Sequence, residues 1–162
     1  MLHRRHIFAG EKRGRCVGPT KRGKGTKIMG LADRNGLPIS LGVNSASPAE
    51  VTLAKELILK RFVKPMPVRV IGDKAYDSDG LDQELLKHGV RIISPNRSNR
   101  RTNTQDGREL RRYKRRWKIE RFWAWLFSFR RVVVRYERYI ENYLCFVQLA
   151  SAQILMRRLV SG

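Results

Sequence analysis

Apolar and polar positions sort the chain into short extended runs followed by longer helical repeats. Thr26 to Ala32 reads TKIMGLA, a strand pattern. Asp33-Arg34-Asn35-Gly36 then breaks the run, and Leu37 to Val43 resumes it. Asn-Gly favours positive backbone dihedrals, so this stretch predicts a tight hairpin with Asp33 in its turn. Ser47-Pro48-Ala49-Glu50 has the form of a helix start. Ser47 suits the cap, Pro48 the first helical position, and Glu50 completes a capping box. Val51, Leu53, Ala54, Leu57, Ile58 and Phe62 recur at helical spacing behind it. Val68 to Ile71 predicts a short buried strand ending at Gly72-Asp73. Leu81, Leu85 and Leu86 mark a helix, and Val90 to Ile93 a further strand. Pro95 to Asp106 is polar and predicts a mobile loop. A long helix then starts near Gly107 or Arg108, with Ile119, Phe122, Trp123 and Leu126 on its core face. Tyr139 to Leu159 predicts a final helix covering the sheet, with Leu144, Val147, Ser151, Ile154 and Leu155 along one side.

Charge changes the picture. The chain has 162 residues, with 35 Lys and Arg against 14 Asp and Glu, a net charge of +21. That length suits one domain with a real core. That charge suits a polyanionic partner bound through counterion release. Charge alone fits an RNA-binding protein as well as a DNA-binding one. Residues 1–25 are Gly-rich and basic and predict a flexible basic arm, either contacting phosphates or forming a disordered tail. Residues 26–162 form the folded domain. Cys16 and Cys145 lack metal-ligand spacing, which suits a reduced, cytoplasmic setting. No signal peptide and no apolar run of membrane-spanning length is present, so no membrane partner is expected.

The candidate chemistry is acidic and lies within this basic chain. Asp73 stands at a strand end, where α/β sheets place ligand-binding residues. Glu120 stands on a later helix, four residues beyond Arg116. Two carboxylates that converge can hold a divalent metal over a phosphodiester. The alternatives are plain: Asp73 as a turn former, and Arg116–Glu120 as a helix ion pair worth a few tenths, roughly, of a kcal/mol. Asp77 and Asp79 read as turn and cap residues. Trp117, Trp123 and Trp125 read chiefly as packing, with Trp117 also placed to meet an unstacked base.

These segments resemble the DDE transposases of bacterial insertion sequences, most closely the insertion-sequence-five group. Gly72-Asp73-Lys74-Ala75-Tyr76-Asp77 is similar to the family's second-aspartate motif. Tyr113, Arg116 and Glu120 match the pattern around its final glutamate, and residues 23 to 41 resemble the hairpin after its first strand. The resemblance implies an RNase H-like α/β domain, a mixed sheet flanked by helices, that cleaves and transfers DNA strands. It implies Asp73 and Glu120 as catalytic metal ligands for Mg2+ or Mn2+. Lys21, Arg22, Lys24, Tyr113, Arg116, Arg130 and Arg131 become the DNA contacts. The family places a cation seven residues after its glutamate. Phe127 stands there instead, and Arg130 and Arg131 follow. The expected partners are the element's ends and target DNA at the nucleoid, a segment encoded in an upstream frame, and a second copy of the chain.

One part of the pattern is absent. The family's first aspartate precedes a segment like Val17 to Arg22, but residues 1 to 16 contain no Asp and only one acid, Glu11. The match begins abruptly near Lys12 or Arg13. Residues 1 to 11 read as another frame or a late start, so the first strand is expected to be incomplete or missing and the chain inactive alone. A non-catalytic DNA-binding regulator of transposition and a decayed remnant are the alternatives.

Overall fold

The computed structural model describes residues 1–8, 14–20, 23–101 and 107–160, with the backbone alone at 4–8. An antiparallel sheet is built on β3 (Gly23–Ala32). Strand β1 (Leu2–Phe8) pairs along one edge of it, and β2 (Gly18–Thr20) and β4 (Pro38–Ser45) pair in succession along the other. A parallel pair, β5 (Arg69–Ile71) and β6 (Arg91–Ile93), forms a second small sheet. The helices are α1 (Glu50–Leu59), α2 (Asp79–Leu86), α3 (Gly107–Leu110), α4 (Trp117–Leu126), α5 (Arg130–Val133) and α6 (Ile140–Val160). Single 3-10 segments cover Lys74–Tyr76 and Arg111–Arg116. The fold is therefore mixed α/β.

Strand β3 is buried from Gly25 to Ala32 and supplies both faces of the core. Side chains alternate across a strand. Ile28 and Ala32 face α4, α5 and α6, where Ile119, Phe122, Trp123, Leu126, Tyr143, Val147 and Ile154 close over them. Met29 and Leu31 face the other way, onto Ala54, Leu57 and Ile58 of α1, Leu81 and Leu85 of α2, and Val70 and Ile92 of the parallel pair. Gly30 sits on the α4 side because a Cβ there would lie 3.1 Å from Trp123 and 3.3 Å from Phe122. The missing side chain lets the helix carrying Glu120 lie against the sheet.

Several expectations change. The first strand, expected to be incomplete or absent, is present: β1 pairs with β3 from Leu2–Leu31 to Phe8–Gly25. The segment expected as a flexible arm thus contributes β1, β2 and the start of β3. Backbone pairing needs no apolar side chains, and basic residues are well suited to a sheet edge. The helix at Ser47 starts at Glu50 instead, with Ala49 as its uncapped boundary. Val68 and Leu86 are exposed, as is Phe62, so the apolar runs overshoot the core at their ends. The long helix expected from Gly107 breaks into α3, a 3-10 segment and α4. The hairpin is as expected. Asp33 Oδ1 accepts from the amides of Asn35 and Leu37, both at 2.8 Å, and Gly36 takes a φ of +83°.

Candidate active site

Asp73 leaves β5 through Gly72, whose amide donates to Ile93 O at 3.0 Å and continues the parallel pairing. A Cβ at Gly72 would stand 2.8 Å from the buried Tyr76 ring, so this approach requires glycine. Asp73 then opens the 3-10 turn. Its Oδ1 accepts from Ala75 N at 2.9 Å, while Oδ2 lies 3.9 Å from His3 Nδ1 of β1. The carboxylate is thus half-buried, with one oxygen on its own turn and the other toward the main sheet.

Glu120 sits in the first turn of α4 with its side chain about half exposed, at 50%. Arg116 Nη2 donates to Glu120 Oε1 at 3.3 Å, and Arg116 Nη1 donates to Tyr113 Oη at 2.6 Å. Tyr113, Arg116 and Glu120 therefore form one hydrogen-bonded row. The guanidinium orients the carboxylate from one side and leaves its other oxygen to solvent. One turn on, Trp123 meets the His3 ring edge-to-face at 6.3 Å between centroids. Asp73 and α4 are thereby connected through His3 and Trp123, while each acid keeps its own basic neighbour.

Helix α4 is held from its outer side as well. Lys118 Nζ donates to Arg34 O at 2.6 Å and Arg121 Nη2 to Asn35 O at 2.8 Å, tying the helix to the β3–β4 turn. Arg121 also lies over the rings of Trp117 and Trp125 at 5.0 and 4.9 Å. Trp117 is half exposed and Trp123 fully buried, so only the latter is core. Phe127 stacks on Trp123 at 5.6 Å, which explains why an apolar ring stands where a cation was expected.

The remaining expected contacts are dispersed. Lys24 is exposed at the start of β3. Arg130 is exposed on α5, and Arg131 pairs with Glu137 at 3.4 Å. Lys21, Arg22 and Glu11 lie outside the described residues. Asp77 is no simple cap. It is buried, and both its oxygens are taken, by Arg97 N at 2.7 Å and Arg100 Nη1 at 2.5 Å. Ser78 caps α2 in its place. Asp82 nearby has its pKa raised to about 6, by burial first and then by Asp79 and Asp77.

Two buried charges escaped sequence reasoning. Lys27 is 1% exposed and pairs with Glu50 at 3.3 Å, also donating to Pro48 O. That pairing takes Glu50 from the expected capping box. Arg135 lies inside the core, donating to Thr26 Oγ1 at 2.8 Å, Glu137 O at 2.9 Å and Arg138 O at 3.1 Å. The only hint for either was a cation within an apolar run.

The donors suit a hard divalent cation, since both Asp73 and Glu120 offer carboxylate oxygens. Among the described residues, however, no three His, Cys, Asp or Glu side chains gather into a metal-holding group.

The comparisons with known proteins agree with this frame. The transposase DDE domain family matches residues 4–155, and the chain belongs to that family. It is 32% identical over 145 residues to a putative transposase for insertion sequence element IS402 from Burkholderia cepacia, covering 84% of this chain and 65% of that protein. It is 32% identical over 136 residues to a putative transposase for insertion sequence element IS6501 from Brucella ovis, covering 82% of this chain and 98% of that one. The chain thus spans just under two thirds of the first relative and nearly all of the second. The piggyBac transposase synaptic complex with hairpin DNA superimposes at a TM-score of 0.46 and 21% identity, over 62% of this chain and 23% of that one, too loosely to carry an argument. No helix among the described residues is long and apolar enough to cross a membrane.

Proposed function

We propose that this chain is a DNA transposase domain of RNase H-like arrangement, from the insertion-sequence-five group, acting on the ends of an insertion sequence. The observation that supports the reading is that Asp73, at the end of the parallel strands, contacts His3, whose ring meets Trp123 on the helix of Glu120, where Tyr113, Arg116 and Glu120 form one hydrogen-bonded row. Asp73 and Glu120 would hold Mg2+ or Mn2+, which would supply charge stabilisation at the phosphoryl oxygens and an activated nucleophile. Arg116 orients Glu120 and adds positive charge where the DNA backbone passes. Lys21, Arg22, Lys24, Tyr113, Arg130 and Arg131 extend the phosphate contacts, within a net charge of +21.

A second reading has its own support. Residues 1 to 32 hold no acid but Glu11, and no third acid joins the pair among the described residues. In-line displacement depends on accurately placed metal ions. We infer that the chain binds DNA but does not cleave it alone, and in that state it acts as an occupant of element ends. Fluorescence anisotropy across a salt series tests the first part. With about six phosphate contacts, affinity falls by orders of magnitude between low and moderate salt. Salt-independent affinity refutes it. A nicking assay with Mg2+ or Mn2+ tests the second, and no product above a Glu120→Ala control is expected. Glu120-dependent cleavage would show that a third ligand exists, with Glu11 first to be examined.

A further inference from the structure

We propose that Arg97, with Arg100 and Asp77, is a positioning clamp that fixes the turn bearing Asp73. The proposal rests on the reading of Asp73 as a metal ligand. A 3-10 turn of three residues is weakly held by its own bonds. Here those are Tyr76 N to Asp73 O at 3.1 Å and Asp77 N to Lys74 O at 3.3 Å. Strand β5 behind it is also only three residues long. Beyond the buried Tyr76 ring and the Asp73 cap on Ala75 N, a further hold comes from the loop after β6. Arg97 donates its amide to Asp77 Oδ2 at 2.7 Å, its Nε to Lys74 O at 3.2 Å and its Nη2 to Ala75 O at 2.8 Å. Arg100 bonds Asp77 at 2.5 Å with one nitrogen and Asp79 with the other. Its own amide donates to Arg97 O at 3.0 Å and stiffens the loop.

The chemistry of these partners matters. A guanidinium is a planar fork that spans two carbonyls at once, whereas an ammonium satisfies them only as a point charge. A reacting carboxylate must be held to a fraction of an ångström, because small misplacements cost large factors in rate. Asp77, with both oxygens engaged, is a strut of the clamp and is not available as a ligand. Arg97 and Arg100 lie in the segment expected as a mobile loop, and their guanidinium groups are engaged by the turn and by Asp77 and Asp79.

The test uses the whole chain with Arg97→Lys, Arg97→Gln, Asp77→Asn and Asp73→Asn. Arg97→Lys keeps the charge and should speed amide exchange at Ala75, Tyr76 and Asp77 by about tenfold while β3 amides stay as in wild type. Manganese binding, followed by electron paramagnetic resonance, should weaken by about tenfold in Arg97→Lys and Asp77→Asn, toward the Asp73→Asn level. Arg97→Gln should leave the salt slope of DNA binding unchanged, and a slope lower by about one would assign Arg97 to a phosphate and overturn the clamp. Wild-type exchange rates in the turn of Arg97→Lys overturn it as well. If the wild type takes up no manganese that depends on Asp73, the metal reading fails, and the exchange rates alone decide the clamp.

Discussion

Breaking the Lys27–Glu50 pair should be among the costliest changes available in this chain. The two side chains are 1% and 9% exposed, and the ammonium lies 3.3 Å from the carboxylate. Removing one partner of a buried pair leaves an uncompensated charge, at a cost of about 3–5 kcal/mol. Glu50→Leu should therefore destabilise by that amount, a fall in midpoint of roughly 6–20 °C for a chain this long. Lys27→Met should cost a similar amount, because it also releases Pro48 O. The double variant Lys27→Met/Glu50→Leu removes both charges and leaves that carbonyl unmade, a loss of about 1–2 kcal/mol. The pair is thus expected to show a coupling of several kcal/mol in a double-mutant cycle. Urea unfolding followed by tryptophan fluorescence measures it. The reasoning is refuted if Glu50→Leu costs less than about 1 kcal/mol, the value of an exposed pair.

Two further outcomes follow from the same region of the fold. Gly72→Ala forces a methyl against Tyr76 and should cost about 1–3 kcal/mol in urea unfolding, as overpacking does; an unchanged midpoint would mean the turn yields freely. Asp82 carries a carboxyl raised from 3.8 to about 6. An acid with a raised folded pKa holds its proton more tightly in the fold. Its stabilising share is complete below pH 3.8, and is lost as the pH climbs through about 6. Asp82→Asn should flatten the unfolding midpoint across that interval, and a wild-type slope persisting in the variant would locate the titration elsewhere.

The hairpin, the Gly72-Asp73 turn and the Tyr113–Arg116–Glu120 spacing were legible because they depend on local signals. Asn35-Gly36 dictates a turn, and Gly72-Asp73 follows an apolar run. Tyr113, Arg116 and Glu120 sit at helical spacing, which the row of hydrogen bonds reproduces even though the first two lie in a 3-10 segment. What escaped depended on distant partners. Glu50 has the local form of a capping residue, but Lys27, on a strand 23 residues earlier, takes it. Residues 2 to 8 have no strand composition, yet β3 offers a free edge along their whole length. Arg97 and Arg100 resemble solvated loop cations until the turn at Asp77 is folded beside them. In each case a long-range partner outweighed the local preference, and a single sequence does not display such partners.

The β3–β4 turn carries a consequence for anyone who would modify this protein. Short surface turns with Asn-Gly tips normally tolerate tags, labels and inserted domains. This one presents the carbonyls of Arg34 and Asn35 to Lys118 and Arg121, which flank Glu120 on α4. A Cβ at Gly36 would also stand 2.8 Å from Lys118 O. An insertion there removes the stop against which the acid's helix is seated, although it touches neither carboxylate. A fluorophore or affinity handle placed at this tip would therefore report on a helix it had itself unseated.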